Sequence, residues 1–222
     1  MRKITSLFLC FSLGVIVMLT GCSNQEEPFT DKNYTSGDEQ ILGVVLDVRD
    51  RQIEVLPSED QQVHIDYSEN SKESYELTVS EDHVLTMTAV SDKEWTDYIG
   101  EKAPASARKI TVQLPDTLLQ TLQISTTNED ISVTDLSLKD TVSLTTNGGA
   151  ISFDQLSAGN TITLDAKNGD ITGTISGSYE EYSIYSSIKK GDSNLPASKD
   201  QGSKTLSVTA NNGDISVEFN PK

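Results

Sequence analysis

Cysteine, histidine and aromatic residues are scarce in this sequence, and each shortage excludes a class of chemistry. Among 222 residues there are two cysteines, two histidines and one tryptophan, and aromatic residues make up 6%. His64 and His83 lie in polar segments without a second ligand at metal spacing, so we interpret both as plain surface residues. No serine or cysteine is arranged as a nucleophile, and neither a phosphate-binding glycine loop before a helix nor a serine elbow is present. We therefore predict no catalytic residue.

The only long hydrophobic run lies at the N-terminus, where it predicts export and a lipid anchor. Two basic residues precede a mostly apolar run from Ile4 to Leu19, which ends in the sequence LTGC at residues 19–22. This order is typical of an export signal, and the run is too short for a stable membrane span. The segment resembles a bacterial lipoprotein signal with its lipobox, which implies that residues 1–21 are removed and that Cys22 carries acyl chains such as palmitate. The alternative is an ordinary secretory signal with an incidental cysteine.

A polar tether and one domain are expected after this signal. Cys10 leaves with the signal and Cys22 carries lipid, so the exported domain has no disulfide and no free thiol. Residues 22–40 are polar and without pattern, which predicts the lipidated cysteine followed by a flexible tether. Residues 41–222 form the predicted domain. The expected location is the extracytoplasmic face of the cell membrane, with the membrane as a partner through the lipid.

Basic residues are also few. The chain has 17 lysines and arginines against 34 acidic residues, which gives a formal net charge of −17. Removal of residues 1–21 takes away Arg2 and Lys3 and no acid, so the charge becomes −19. Nucleic acid and anionic lipid headgroups repel a domain this acidic. We therefore expect no nucleic-acid partner, and the acidity favours cations or a basic partner.

Five segments in the second half of the chain share a pattern with a period of about 20 residues. The first apolar column is Leu122, Val142, Ile162, Tyr182 and Leu206, and the second, two residues later, is Ile124, Leu144, Leu164, Ile184 and Val208. A small column follows at Thr126, Thr146, Ala166, Ser186 and Ala210, and apolar residues return after the corner at Ile131, Ile151, Ile171 and Ile215. Alternation of period two predicts strands with one buried face. A unit of this length buries that face only against identical neighbours, which is typical of a solenoid.

The predicted fold is therefore all-β: a single-domain, parallel β-helix-like solenoid with rungs of about 20 residues, regular from about residue 118. The fourth repeat departs from the pattern. Aligned on Tyr182, it has two extra residues before Gly191-Asp192, and residues 194–204 lengthen the return to the next repeat. We expect a rung with a bulged corner and a long loop. Tyr182 and Ile184 fall in apolar columns and are expected in the core.

Residues 41–115 are also rich in predicted strands, but they lack a fixed period. Alternating apolar residues predict strands near residues 44–48, 53–55 and 63–67, two more on either side of Glu81-Asp82, and a last one that Pro115 ends. Between them, residues 91–109 lack alternation and predict a surface loop. We expect Trp95, Tyr98 and Ile99 in this loop to cover an end of the stack, and the alternative is a binding patch.

The order of these segments resembles a known family. The stretch IEVLPSEDQQVHIDY at residues 53–67, ITVQLP at residues 110–115 and the repeated NGDI resemble the bacterial "putative adhesin" β-strand-repeat domain family, over nearly all of residues 41–219. This family has no assigned biochemical function; its members are exported, often lipid-anchored, and some occur beside envelope-stress regulators. The resemblance implies the fold more than any activity, because a fold does not determine a function.

The corners of the repeats carry the first candidate site. Asp130, Asp170, Asp192 and Asp214 share one column, which Ala150 interrupts, and they are expected to point outward. If the last three rungs stack directly, Asp170, Asp192 and Asp214 form a ladder with steps of about 4.8 Å. Such a ladder predicts a weak calcium site, because hard cations prefer oxygen ligands. The alternative is that Asn-Gly-Asp only turns the chain, since Asn and Gly accept positive φ and Asp accepts a local backbone hydrogen bond.

A second candidate site is the tyrosine-rich segment of the fourth repeat. Tyr179 and Tyr185 are out of phase with the buried columns, so we expect them to be exposed. Exposed tyrosines on a flat strand surface can stack on sugars or pack on a partner. Both are therefore candidate ligand contacts.

Together these features predict a non-enzymatic, lipid-anchored cell-envelope protein that acts in surface binding, adhesion or scaffolding. Its expected partners are a cell-wall polymer or an envelope protein, and no cofactor is predicted apart from the possible calcium. Two alternatives stay open. One is an accessory lipoprotein that senses envelope stress through a membrane partner. The other is a polysaccharide-processing enzyme, because some parallel β-helices cleave polysaccharides and the many acidic residues offer carboxylate pairs.

Overall fold

The computed structural model of the protein describes residues 28–91, 103–115 and 119–221. The strands in chain order are β1 Thr30–Thr35, β2 Gly43–Asp47, β3 Gln52–Pro57, β4 His64–Glu69, β5 Glu73–Val79, β6 Val84–Ser91, β7 Lys109–Leu114, β8 Thr121–Thr126, β9 Ile131–Val133, β10 Leu136–Leu138, β11 Thr141–Thr146, β12 Ile151–Ala158, β13 Thr161–Ala166, β14 Ile171–Ser176, β15 Tyr182–Lys190, β16 Ser198–Lys199, β17 Lys204–Asn212 and β18 Ile215–Asn220. Helical structure in these ranges is limited to two 3-10 turns, Ala105–Arg108 and Tyr179–Glu181. Within the same ranges, no helix has the length and apolar character needed to cross a membrane.

Some predictions fall on residues that the structure does not describe. They are the signal at residues 1–21, the lipid on Cys22, and the expected end cover at Trp95, Tyr98 and Ile99. These stay predictions.

The strands form two nine-stranded sheets around one core. Sheet A has the order β1-β4-β7-β3-β9-β12-β14-β18, with β10 paired to β12, and sheet B has the order β16-β15-β17-β13-β11-β8-β2-β6-β5. Most neighbours are parallel, and antiparallel pairs occur only near the ends, between β1 and β4, β4 and β7, β5 and β6, and β15 and β16. A rung is one strand of sheet B, a corner, and one strand of sheet A. The predicted all-β solenoid is therefore confirmed.

The predicted apolar columns are the inner faces of the two sheets. In sheet B the first column is Val44, Leu122, Val142, Ile162 and Leu206, in direct register on neighbouring strands. In sheet A the matching column is Ile53, Ile131, Ile151, Ile171 and Ile215. All ten side chains are buried. Because burial of one aliphatic side chain contributes roughly 1.5–3 kcal/mol, these columns are the main force that holds the rungs in register.

The order of the rungs in the stack differs from their order in the chain. In sheet B, β17 lies between β13 and β15, so the last repeat is inserted beneath the fourth one. Its inward residues Leu206, Val208 and Ala210 are all buried, whereas β15 offers only Ser186 opposite Val208. The strand with the more complete apolar face therefore takes the inner position. The first coil is covered in the same way, because β2 lies between β8 and β6, and β3 lies between β9 and β7.

The predicted bulge in the fourth repeat is wrong, because the repeat had been aligned two residues out of register. Ile184, not Tyr182, pairs with Leu206, and Tyr182 pairs with Lys204. Asp192 then reaches the level of Asp214 without extra residues, and β15 continues unbroken to Lys190. Tyr182 and Ile184 are both buried, so their predicted place in the core is confirmed. The large ring of Tyr182 misled the alignment because it looked like an ordinary member of the apolar column.

The predicted tether is too long. Residues 30–35 form β1, which pairs antiparallel with β4 at the edge of sheet A. The sequence of β1 is polar and mostly exposed, so it shows no alternation. Backbone pairing and polar side-chain contacts hold it instead: Asn33 Nδ2 donates to Asp66 Oδ1 at 2.6 Å, and Ser68 Oγ donates to Asp31 Oδ1 at 2.7 Å. Residues 30–40 therefore belong at least in part to the folded domain.

The loop between β15 and β17 closes the other end of the stack. Its short strand β16 pairs with the outer side of β15, opposite Ile184 and Tyr185. On sheet A, the Asn194 side chain takes the place of a neighbouring strand: its Nδ2 donates to the carbonyl of Val217 at 2.9 Å, and its Oδ1 accepts from the Val217 N–H at 3.0 Å. The loop thus covers the terminal strand of both sheets and limits edge-to-edge association.

Candidate functional site

The corners explain why the repeats carry Asn-Gly-Asp. A Cβ atom on Gly169 would overlap the carbonyl oxygen of Gly149 in the rung beside it, and one on Gly213 would overlap the carbonyl oxygen of Gly169. Neither Asn168 nor Gly169 has a positive φ. Close contact between stacked corners, rather than positive φ, is therefore the common reason for glycine in this column, which corrects the explanation expected from the sequence.

The corner aspartates form a ladder of hydrogen bonds between rungs. Asp170 Oδ1 accepts from the backbone N–H of Asp214, and Asp214 Oδ1 accepts from the N–H of Asp192, both at 2.8 Å. Asp130 Oδ1 accepts from the N–H of Ala150 at the same distance. The predicted ladder exists, but its order is Asp170, Asp214, Asp192, and each bond links two rungs instead of closing a local turn. Each carboxylate satisfies an N–H that the corner would otherwise leave without a protein partner.

This structural role bears on the calcium hypothesis for Asp170, Asp192 and Asp214. Two of the three carboxylates already accept a hydrogen bond from the next rung. The described residues contain no group of three or more histidine, cysteine, aspartate or glutamate side chains placed to hold a metal ion. The calcium site stays a prediction, which calorimetry and the melting temperature in calcium would check.

Tyr185 lies on the outer face of sheet B at the end of the stack. Its side chain is 47% exposed, and its hydroxyl donates to Asp200 Oδ1 at 3.2 Å. This hydrogen bond and the negative charge of Asp200 raise the pKa of Tyr185 above its ordinary value. One edge of the ring is thus tied to the end loop, while the rest faces solvent, and the expected exposure of Tyr185 is confirmed.

Tyr179 lies nearby at the start of the second 3-10 turn, which a capping box between Ser178 and Glu181 fixes. The ring is 37% exposed and meets Phe219 edge-on, with 5.2 Å between ring centroids. Lys199 Nζ lies 4.8 Å from the centroid of Tyr179 and donates to the Tyr179 carbonyl at 3.2 Å. The expected exposure is confirmed, but the cation and Phe219 already occupy part of this ring.

The segment 198–200 joins the two tyrosines, because Lys199 contacts Tyr179 and Asp200 contacts Tyr185. We call Tyr179, Tyr185, Lys199 and Asp200 the tyrosine surface. It combines exposed aromatic rings with a cation and a carboxylate, which is a set suited to binding a polar ligand with an apolar side.

Comparison with known proteins establishes the family. The family model described as Toastrack DUF4097 matches residues 42–221. The chain belongs to the Toastrack DUF4097 family. No curated protein matches it.

Solved structures with a similar fold come from bacteria. A "putative cell adhesion protein" from Clostridium sporogenes aligns over 87% of this chain and 100% of its own, with 12% identity and a TM-score of 0.64. A "putative adhesin" from Bacteroides fragilis aligns over 87% of this chain and 98% of its own, with 12% identity and a TM-score of 0.36. One from Parabacteroides distasonis covers 86% and 98%, with 10% identity and a TM-score of 0.29. At 12% identity the first of these shows a shared fold, and the expected resemblance to an adhesin-type β-repeat family is confirmed.

The structure brings His64 into a chain of polar contacts in the Toastrack domain that the sequence does not reveal. Its Nε2 lies 3.0 Å from Asp60 Oδ1, and its Nδ1 lies 3.1 Å from Thr35 Oγ1. The N–H of Gln62 and then the ring of His64 lower the pKa of Asp60. Thr35 Oγ1 also lies 3.2 Å from Asn33 Oδ1, so its hydroxyl has a second acceptor. The contacts tie β1 to β4 and to the turn before β4. His83, in contrast, is exposed with φ of 60° in the turn before β6.

Arg51 is the other residue of this kind in the Toastrack domain. It lies in the corner between β2 and β3 and is 2% exposed. Its Nη2 donates to Glu73 Oε2 at 2.9 Å, and the guanidinium carbon lies 5.8 Å from the ring centroid of Tyr75. An arginine in a polar corner sequence reads as a surface residue. Its burial depends on β5, which comes 22 residues later, so no local signal predicts it.

Proposed function

We propose that this Toastrack protein is a non-enzymatic, lipid-anchored protein of the cell envelope that binds a surface ligand through the outside of its solenoid. The observation that carries the proposal is the position of the tyrosine surface at the end of a stiff stack. Tyr179 and Tyr185 are two of only three large apolar side chains that are exposed among the described residues. The resemblance of the fold to a structure described as a cell adhesion protein supports the same role.

The direction of the chain supports a role away from the membrane. β1 is the edge strand of sheet A nearest the predicted anchor at Cys22, and β18 is the last strand at the opposite edge. Seven steps between strands separate them, or about 34 Å at about 4.8 Å per step. The tyrosine surface lies at the β18 end, because Tyr179 contacts Phe219 in that strand. A lipid on Cys22 would therefore leave the candidate binding surface at the outer end of the molecule.

The test has one arm for the anchor and one for the binding surface. The full-length chain and its Cys22→Ser variant are produced in a bacterial host, and the cells are labelled with palmitate and fractionated. We expect the unchanged protein to carry label and to remain with the membrane, and the variant to lose both properties. A labelled or membrane-bound Cys22→Ser variant would contradict the anchor.

The second arm measures binding of the full-length protein, purified in detergent, to isolated cell envelopes. We expect the Tyr179→Ser/Tyr185→Ser double variant to bind at least tenfold more weakly. The control is Val90→Ser, which changes the third exposed large apolar side chain, outside the tyrosine surface. Equal binding by the double variant, at an unchanged melting temperature, would remove the tyrosine surface from the proposal.

A further inference from the structure

The outer face of sheet B is almost free of charge in a strongly acidic protein. Its four central strands, β8, β11, β13 and β17, have twelve outward positions: Thr121, Gln123, Ser125, Thr141, Ser143, Thr145, Thr161, Thr163, Asp165, Thr205, Ser207 and Thr209. Ten are serine or threonine, and Asp165 is the one charged residue, although the chain carries a formal charge of −17. We call these twelve residues the hydroxyl face.

The hydroxyl groups of this face repeat in straight rows. Thr121, Thr141, Thr161 and Thr205 are in direct register on neighbouring strands. Gln123, Ser143, Thr163 and Ser207 form the row beside it, and the exposed Tyr185 on β15 continues this row next to Ser207. Each row therefore presents the same kind of group about every 4.8 Å along the stack.

These hydroxyls have no structural role that would explain their number. Within residues 28–91, 103–115 and 119–221, none of the ten makes a side-chain hydrogen bond to another protein group. The threonines at the corners behave differently, since Thr126 Oγ1 donates to the Arg51 carbonyl and Thr146 Oγ1 donates to the Glu129 carbonyl. Each free hydroxyl keeps one donor and two acceptor positions for a ligand. The threonines among them are stiff about χ1, so binding orders them at little cost in entropy.

The outer face of sheet A shows that this surface is not simply what the fold requires. It also has a row of hydroxyls at Ser132, Ser152, Thr172 and Ser216. That row continues into Glu54, and the neighbouring outward positions include Asp154 and Glu218. The same strands, corners and solvent thus accept acidic residues on one side of the solenoid and exclude nearly all of them on the other.

The chemistry of the hydroxyl face selects one class of ligand. It has no arginine, lysine, aromatic or methionine residue within its twelve positions, so it lacks both the cations that a polyanion needs and the anchors of a protein interface. Rows of identical hydroxyls along one axis match a polymer that repeats its own hydroxyls. We propose that the hydroxyl face binds a neutral polysaccharide that lies along the stack, with Tyr185 stacking on a sugar ring at the end of the middle row. This inference rests on the proposed binding function and names its ligand class.

The test uses the full-length chain in detergent with three insoluble or immobilised neutral polymers, cellulose, chitin and mannan, and with polygalacturonate as the anionic polymer. Depletion of protein from solution measures binding. The main variant is Thr163→Glu/Ser207→Glu, which places two like charges on adjacent strands in the middle row. The matched control is Ser152→Glu/Thr172→Glu, which places the same two charges on adjacent strands of sheet A. A milder variant, Thr163→Ala/Ser207→Ala, removes hydroxyls without adding charge.

We expect binding to at least one neutral polymer, no binding to polygalacturonate, and affinity at least tenfold lower for the sheet B glutamate variant than for its sheet A control. The alanine variant should bind severalfold more weakly than the unchanged protein, and it decides the matter if the glutamates prevent folding. Absence of binding to all three neutral polymers, a preference for polygalacturonate, or an equal loss in the sheet A control would overturn the inference. In each of these cases, tyrosine-dependent binding to isolated envelopes would leave the proposed function intact, and its absence would remove both.

Discussion

The regular half of the solenoid, residues 119–221, and the irregular half, residues 28–115, build the same two sheets in different ways. In the regular half, corners stack on identical corners, with glycine against carbonyl and aspartate against backbone N–H. In the irregular half, the corner between β2 and β3 has no glycine; Asp50 takes a φ of 52° there, and the buried Arg51 fills the space. Repetition stabilises the middle of the stack, whereas contacts that occur once hold the end nearest the predicted anchor.

The largest effect is expected from breaking a stacked corner. In Gly169→Ala, the new Cβ would overlap the carbonyl oxygen of Gly149, and the obstacle is backbone that cannot rotate away. We expect a loss of about 3 kcal/mol in the free energy of unfolding, measured by urea denaturation. The control in the irregular half is Gly37→Ala, where a Cβ meets no atom within 4 Å and only the φ of 59° is unfavourable. That change should cost about 1 kcal/mol, and an equal cost at both sites would refute the stacking explanation.

The second prediction breaks the irregular half. Arg51→Ala removes the buried guanidinium from Glu73 and from the backbone carbonyl of Asp50, to which Nη1 donates at 3.1 Å. Because Glu73 is itself partly exposed, we expect a loss of about 2 kcal/mol, at the low end for a buried ion pair. The control is Lys109→Ala, which breaks an ion pair with Glu54 on the surface of sheet A and should cost less than about 0.5 kcal/mol. Equal costs would show that burial of Arg51 adds nothing.

The two halves also differ in how far the sequence predicts them. In the regular half, the apolar columns specify the fold, the register of most strands and the exposure of Tyr179 and Tyr185. The columns do not specify stacking order, because β15 and β17 both match β13, and the choice depends on whether Ser186 or Val208 is buried more deeply. In the irregular half, strands are recognisable one by one. Their partners, and the contacts of Arg51 and His64, depend on residues 22 to 29 positions away, so local patterns do not contain them.

A third prediction tests the aspartate ladder as a property of the regular half. Asp214→Ala removes the acceptor for the Asp192 N–H and should cost about 1 kcal/mol, while Asp214→Asn keeps an oxygen in place and should cost less. The control is Asp154→Ala on the outer face of sheet A, which removes the same charge from an exposed site and should change stability by less than about 0.5 kcal/mol. If alanine at residues 154 and 214 costs the same, charge and not the hydrogen bond is what matters.

The smallest effect at neutral pH is expected at the outer end of the regular half, where Tyr182 closes the core. Its ring is buried against Phe219, with 5.7 Å between centroids, and its hydroxyl has no hydrogen-bond partner among the described residues. Tyr182→Phe should therefore leave stability at pH 7 unchanged or slightly higher, because it removes a polar group that burial leaves unsatisfied. Thermal unfolding at pH 7 measures this.

The same variant should differ clearly in alkali. Burial raises the pKa of Tyr182 to about 12 from an ordinary value of 10.0. The folded protein thus holds this proton more tightly than the unfolded chain, so the stability that depends on it is complete below pH 10 and falls as the pH rises towards 12. Tyr182→Phe should make the fall between pH 10 and 12 shallower by one proton, whereas Tyr185→Phe, which keeps Tyr182, should retain that part of the fall. Parallel alkaline profiles for the unchanged protein and Tyr182→Phe would mean that the ring reaches solvent and that the end of the stack is more open than its packing against Phe219 indicates.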